Sequence, residues 1–350
     1  YDGWSFYVPQ VVVLSLDDEA PVWVGRGMDA NGARHTTYLS DDRIVGYADD
    51  FVQTPVKHPM QVVADEIKRR GWGSKTIGTE MDAYYFSAKS FVELQKNLPE
   101  AKFDDANLLV SWVRIIKSAA EIEFMQKAGK IVERVMQKAI DTVAPGVREC
   151  DAVAEIYRTQ IRGTDTFGGD YTALVPMMPS GDKTSTPHLT WTDEPYQNEI
   201  AVNMELAACH NRYHSPLART MYLGKNPPDK LVDTSKVVVE GCNEALDAIK
   251  PGVKCEEIEL VWRRVIARAG LEKESRIGYS MGLNYPPDWG EHTASLRPGD
   301  KTVLEPNMTF HMILGMWMDD WGFECSESFR VTDDGHETFA DFPRQLFIKE

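Results

Sequence analysis

Two stretches of this chain read as copies of one design. Residues 131–146 are IVERVMQKAIDTVAPG and residues 237–252 are VVVEGCNEALDAIKPG, an offset of 106 residues. In each, apolar positions recur at helical spacing. Pro-Gly then stops the helix, because proline lacks the N–H that would continue it and glycine accepts the left-handed turn beyond. Each stretch leads through Val147 or Val253 into a second helical pattern, DAVAEIYRTQI or IELVWRRVIARAG. Amphipathic helices can be alike by chance, but the matching Pro-Gly-Val junctions favour duplication. An offset this large is no solenoid period; it predicts two similar halves about a pseudo-two-fold axis.

Strand patterns follow each helical pair. Residues 199–205 alternate apolar and polar side chains and 219–223 continue in that style; 309–314, 316–321 and 327–331 read as three further strands. Ahead of the duplicated region the patterns are different. Residues 6–24 predict a hairpin turning at Asp17, Asp18 and Glu19, followed by a helix over 59–70, a strand over 75–78, a helix over 88–97 and a strand over 108–113. The expected organisation is a small α/β domain over 1–115 and a larger α+β domain over 116–350, with a site in the cleft between the duplicated halves. A length of 350 residues suits two such cores.

The formal charge of −16 argues against nucleic acid or an anionic membrane as a partner, since phosphates are repelled over most of such a surface. The five cysteines are scattered and include no CxxC pair, so neither a disulfide framework nor a zinc ribbon is indicated. With no transmembrane-length apolar run, the cytoplasm is the expected location. The sequence starts in strand-like residues at Tyr1 without a methionine, and an N-terminal piece is expected to precede it.

One constellation carries chemistry. His188 stands in TPHLTW, Glu205 follows 17 residues later in VNMELAAC, and Pro216 lies 11 beyond that in HSPLARTMYLG, with Arg219 and Thr220 after it. A glutamate inside an apolar strand is unfavourable to bury unless it is paired or used. The spacing resembles the metal-binding core of the creatinase, aminopeptidase P and prolidase family, the pita-bread fold. That core has a catalytic His, an Asp 17 residues on, a second Asp after 11 more, and a TRT-like tail. The resemblance covers essentially the whole chain and implies a pita-bread domain with duplicated halves, preceded by a creatinase-like N-terminal domain.

The family's ligands are largely replaced here. Pro216 takes the second Asp position, Tyr279 the position of the ligand His, Ile313 that of a ligand Glu, and Ser326 that of the last Glu unless a one-residue shift puts Glu327 there. Only Glu205 keeps a carboxylate. Isoleucine and proline offer no donor to a divalent cation, so no metal and no other cofactor is expected.

The resemblance then points to the metal-free members of the family. A neutral peptide carbonyl needs a Lewis acid to polarise it, whereas a protonated amidine or guanidine already carries positive charge on the carbon to be attacked. The stretches YDGWSFYVPQ, GRGMDANGARHTTYL and HSPLARTMYLG carry a closer match to members that open a cyclic amidine. They imply hydrolysis of ectoine to N-acetyl-2,4-diaminobutyrate by a homodimer in which one subunit's small domain helps close its partner's site. A creatinase-like amidinohydrolase on another guanidino or amidino acid, a metal-dependent Xaa-Pro peptidase and a non-enzymatic binding module remain open.

In this reading Glu205 is the central carboxylate, attacking the amidine carbon or holding the amidinium while water attacks; a structural ion pair with Arg219 is the alternative. His188 is the general base or proton shuttle. Tyr279 donates a hydrogen bond, Glu324 or Glu327 supplies a second carboxylate, and His292 lies after the proline-rich loop 286–289 that walls the cleft. Trp4, Phe6 and Tyr7 are candidates to lid the partner's pocket, against the commoner role of core packing. Arg26, Arg34 and Arg219 are candidates for the substrate's carboxylate, against solvated surface charge.

Overall fold

The computed structural model describes residues 2–4 and 6–350 and divides into two compact units, 1–109 and 110–350. The boundary falls six residues before the expected 115. In the first unit, β1 (Val11–Val13) and β2 (Val22–Arg26) form the expected antiparallel hairpin, and β3 (Ile44–Tyr47) joins β2 in parallel after α1 (Ala30–Thr36). α2 (Pro59–Arg69), with proline in its first turn, and α3 (Ala88–Asn97) flank a two-stranded parallel sheet of β4 (Thr76–Thr79) and β5 (Lys102–Asp105). Val22, Val24, Met60, Val63, Ile67 and Leu94 form the buried core.

The strand expected over 108–113 is instead a short helix, α4 (Leu109–Val113). Short apolar runs do not separate helix from strand. Here Leu108 takes a positive φ of 56° and, among the described residues, no β-partner lies beside the run, whose Leu109, Val110, Trp112 and Val113 are exposed. The pairing partner of β4 is the polar KFDD segment of β5, which carries no strand pattern of its own.

The second unit is built twice over, as the repeat predicts. α5 (Ala119–Thr142) and α6 (Glu149–Arg162) cover the sheet ordered β13-β7-β6, and α7 (Asp229–Asp247) and α8 (Cys255–Arg268) cover the sheet ordered β12-β11-β10-β8-β9. The strands are β6 (Ile200–His210), β7 (Tyr213–Leu223), β8 (Gly278–Met281), β9 (Gly290–Leu296), β10 (Thr309–Trp317), β11 (Gly322–Val331), β12 (His336–Thr338) and β13 (Phe347–Lys349). Gly146 and Gly252, the last residues of the two repeats, have matching φ of 82° and 89°. Each half has its own core. Val132, Val135, Ile156, Met204 and Leu217 form one; Val238, Ile258, Trp262, Phe310 and Leu314 form the other. Gly241 permits the closest approach in the second, since a Cβ there would lie 2.5 Å from the Trp262 ring.

The three strands expected over 309–331 are two long ones, β10 and β11. The break lies at the Asp319-Asp320 turn, where polarity collects, and not inside the apolar runs on either side. β6 and β7 join through Asn211 and Arg212, both at positive φ (48° and 67°), the geometry of a tight two-residue hairpin. Arg212 tolerates it because its guanidinium is held by the carbonyls of Tyr171 and Asn284 and lies 3.9 Å from the Tyr171 ring centroid.

The two sheets meet where β7 runs beside β11. Side chains join them there: Ala218 N donates to Ser326 Oγ (2.6 Å), Ser328 Oγ to Pro216 O (2.6 Å) and Glu324 N to Thr220 Oγ (2.9 Å). Arg219 spends its whole guanidinium here, donating to Glu327 Oε1 (2.6 Å) and to the carbonyls of Ala218, Ser326, Phe342 and Pro343. Both members of this ion pair are fully buried. Removing one partner of such a pair strands a charge and costs about 3–5 kcal/mol. Arg219→Leu is therefore expected to lower unfolding stability by about that amount in urea titrations, and the double change R219L/E327L to recover a large part of it.

Candidate active site

Strand register decides which side chains can meet. Glu205 lies opposite Ala218 in the β6–β7 ladder, so the two share a face, while Arg219 lies opposite Met204 on the other face, toward the helices. In the second sheet Tyr279 pairs with His311, His311 with Ser328, Ile313 with Ser326, and Gly315 with Glu324. These residues share the face opposite to Met312 and Leu314, which lie in the helix-side core. Glu327 pairs with Met312 and faces the helices as well.

The register therefore places Ser326, not Glu327, on the same face as Ile313. Glu327 is Arg219's partner, with Arg344 3.6 Å away. Arg219 consequently pairs with Glu327, not with Glu205, and has no N–H left for a substrate carboxylate. The structure takes both residues away from the face that carries Glu205.

What gathers around Glu205 is acidic and dry. The residue is 4% exposed, its backbone is bridged to Met177 in both directions (3.0 Å each), and its carboxyl makes no hydrogen bond or ion pair among the described residues. Burial, with the charge of nearby Asp288, pushes its pKa up to about 8. Glu324 is 1% exposed and is raised well above the ordinary carboxylate range, by burial first and then by the proximity of Glu205. Its Oε2 has no hydrogen-bond partner. Lys273 is close enough to ease Glu324, but burial holds this ammonium down to about 8, and its Nζ is bonded to Gly315 O (2.5 Å).

Beside the acids runs a chain of neutral donors and acceptors. Trp289 Nε1 donates to Tyr279 Oη (2.8 Å), Tyr279 Oη contacts His311 Nδ1 (3.0 Å), and His311 Nε2 contacts Ser326 Oγ (2.8 Å). Burial drives the His311 pKa down to about 3, so this imidazole is neutral. Burial, followed by the charge of Glu205, pushes the Tyr279 phenol well above its ordinary value. Among the described residues, no three His, Cys, Asp or Glu side chains converge in a metal-holding group. The residues at the family's ligand positions do not fit a dinuclear centre.

The other expected residues are placed as follows. His292 Nε2 is 2.7 Å from Asp288 Oδ2, which ties it to the carboxylate that acts on Glu205. His188 is exposed on the loop after the 181–185 turn; the next residue, Leu189, accepts a hydrogen bond from Met178 beside Met177, but His188 itself is not brought onto the Glu205 carboxyl. Trp4 and Phe6 belong to the first unit, Trp4 edge-on to Phe6 (4.9 Å) and Phe6 stacked on Tyr85 (5.3 Å). Arg26 is bonded to Asp49 and Arg34 to Asp41 in that same unit.

Sequence reasoning missed His311, and it read Asp288 and Trp289 only as part of the loop 286–289 that walls the cleft. For His311 the available signal was parity: 311, 313 and 315 share one face of a strand whose Ile313 had already been singled out. Arg276 was missed too. Its guanidinium lies 4.5 Å from the Tyr279 ring centroid and bonds Ser295 Oγ (3.0 Å), at a cavity of about 360 Å³ that His292, Ser295 and Arg297 also line.

Comparison with known proteins agrees with this architecture. Residues 123–333 match metallopeptidase family M24 and residues 3–116 match the creatinase/prolidase N-terminal domain. An ectoine hydrolase of Halomonas elongata is 48% identical over 100% of this chain and 89% of its own length. A Pyrococcus furiosus Xaa-Pro dipeptidase is 26% identical over 81% of this chain and 78% of its own. Among solved structures, an X-Pro aminopeptidase from Thermotoga maritima superposes with a TM-score of 0.81 at 20% identity, covering 97% of this chain and 88% of that one. A Thermococcus sibiricus prolidase reaches 0.82 at 18% identity with the same coverage.

A carboxyl whose folded pKa lies above its unfolded value keeps in the native state a proton that the unfolded chain has released. Stability is therefore lost as pH climbs from about 4.5 through about 8. Glu205→Gln removes that loss. The variant is expected to match the parent's thermal midpoint near pH 5 and to exceed it by several degrees, roughly 2–4 °C, at pH 8 by calorimetry.

Proposed function

Because the chain belongs to metallopeptidase family M24, with the creatinase/prolidase N-terminal domain ahead of it, we propose that its cleft opens the ring of ectoine to N-acetyl-2,4-diaminobutyrate without a metal ion. The observation that carries this reading is the pair of buried acids, Glu205 and Glu324, on one face, with Glu324 Oε2 lacking a hydrogen-bond partner among the described residues. A buried polar group without a partner requires an explanation, and two buried carboxyls near each other either keep their protons or take a cation between them. A cyclic amidinium is that cation. On binding it favours release of the Glu205 proton to solvent, and the carboxylate so formed faces the carbon that bears the ring's positive charge. The 48% identity to the Halomonas elongata ectoine hydrolase over the whole chain supports the choice of ring.

The chemistry follows from this placement. Glu205 adds to the amidinium carbon, or holds it while water adds; a mass increment on the Glu205 peptide after rapid quenching separates the two. Tyr279, kept protonated by its surroundings, donates toward the ring nitrogen that becomes the amine. Arg276 stands beside Tyr279 with a guanidinium fork suited to the substrate's carboxylate. His188 and His292 are assigned to proton exchange at the mouth of the cleft, and Trp4 and Phe6 to covering the pocket of a partner subunit. Another amidino or guanidino acid satisfies the same two acids, and side-by-side turnover ranks the substrates.

Cysteines that form no disulfide among the described residues suit a reducing cytoplasm. The exposed apolar run Leu109, Val110, Trp112 and Val113 suits association of two copies, which sedimentation would report as a dimer.

In the assay itself, ectoine is expected to disappear by NMR at a rate unchanged after chelator treatment. Glu205→Gln should lower kcat by at least about a hundredfold. Since kcat/KM reports the free enzyme and the reaction needs Glu205 ionised, log(kcat/KM) should climb with slope near one up to about pH 8 and then level. Loss of turnover on chelation, restored by a divalent ion, would overturn the metal-free reading.

A further inference from the structure

The chain Trp289, Tyr279, His311, Ser326, Ala218 has fixed donors at both ends. The Trp289 indole N–H points at Tyr279 Oη and the Ala218 amide N–H points at Ser326 Oγ; neither can reverse. Between them lie two contacts, Oη to Nδ1 at 3.0 Å and Nε2 to Oγ at 2.8 Å. Each takes one proton. The available protons are the tyrosine hydroxyl, the serine hydroxyl and the single N–H of a neutral imidazole.

Three protons and two contacts leave one over. With the imidazole proton on Nδ1, it is donated to Tyr279, Ser326 donates to Nε2, and the phenol proton is the surplus. With the proton on Nε2, the phenol donates to Nδ1, the imidazole donates to Ser326, and the serine proton is the surplus. Among the described residues, Tyr279 Oη has no protein partner besides Trp289 and His311, and Ser326 Oγ none besides Ala218 and His311. Both hydroxyls stand on the face of the sheets that carries Glu205. The surplus proton therefore has two exits on that face, separated by the width of an imidazole ring.

We infer that Tyr279, His311 and Ser326 form a proton relay across the cleft, with His311 as the positioning residue that passes a proton between the two hydroxyls by exchanging tautomers. The inference rests on the ring-opening reading, because hydrolysis of an amidine needs this transfer. Water adding to the ring carbon gives up one proton, and the ring nitrogen whose bond to that carbon breaks must gain one. Tyr279 gives its surplus proton to the departing nitrogen and takes the one from Nδ1. Nε2 takes the serine proton, and Ser326 takes the proton of the attacking water. No net charge is created on any relay member, and the tautomer resets when Ser326 returns its proton to solvent and Tyr279 regains one.

Buried in this way, the imidazole does not need to ionise. It has only to exchange which nitrogen carries hydrogen, which distinguishes it from a conventional histidine base.

Two readouts test the relay separately from the substrate. Without ligand, ¹⁵N NMR of histidine-labelled protein, with the His311 signals assigned from His311→Gln, is expected to show both tautomers in exchange and no protonation between pH 5 and 9. With ectoine, the proton inventory of kcat for the unsubstituted enzyme should be curved, as when several protons move together. Ser326→Ala and His311→Gln should each lower kcat about a hundredfold with KM within threefold, their combination should be no worse than either alone, and Ser326→Thr should restore most of the rate. A single frozen tautomer, a linear inventory, or a loss confined to KM would overturn the relay. A mobile tautomer in a protein that leaves ectoine intact would overturn the substrate and leave the relay standing; the inventory and the tautomers are read on unsubstituted protein, so a misfolded variant cannot decide either question.

Discussion

The β7–β11 seam, centred on the buried Arg219–Glu327 ion pair, is the constraint from which the site follows. It joins two separately built halves without a continuous backbone ladder, so the polar groups of both strand edges must be satisfied by side chains. Arg219 satisfies four carbonyls and a carboxylate at once, while Ser326, Ser328 and Thr220 satisfy the edges between. Strand parity then does the rest. With every odd residue of β7 from 217 to 223 committed to the helix side, Ala218 and its ladder partner Glu205 are committed to the cleft.

The acids on that face are destabilised in the same act that makes them useful. Burial holds protons on Glu205 and Glu324, and Lys273, itself held down by burial, eases only Glu324. This face thus carries less negative charge at neutral pH than its two carboxyls would in water. In the proposed reaction, a cation that enters supplies the compensation the protein withholds, so affinity and activation of the carboxylate come from one interaction. Nothing comparable is offered to a neutral peptide bond, although the fold is shared with proline-specific peptidases.

Much of this was legible in the sequence. The repeated Pro-Gly-Val junctions revealed the duplication, and the 17- and 11-residue spacings singled out Glu205 and Pro216, which the ladder pairs within two positions of each other. What was not legible was whatever depends on which face of a strand a polar residue takes. Arg219 and Glu327 looked like site residues because they stand beside site residues, yet odd and even positions go opposite ways. His311 was hidden for the converse reason: for a lone histidine between apolar neighbours, parity with Ile313 is the one local sign, and its meaning comes from Tyr279 and Ser326 on other strands. The short helix at Leu109–Val113 was misread because apolar content without period does not choose a conformation.

Pro216 sits in the middle of a fully buried strand, where a missing amide hydrogen would ordinarily be penalised. It is tolerated because the register turns its nitrogen away from β6 and toward the seam, on the same side as the carbonyl that receives Ser328. An engineer who wished to graft an ion-binding carboxylate at this position would be making a main-chain change along with the side-chain one. Any other residue brings back a hydrogen that must find an acceptor among the hydroxyls already spoken for between the two halves. Fitting this cleft with ions is thus a problem of re-tailoring the join, and single-residue grafting from the ion-binding cousins should fail at that stitch before it fails at coordination.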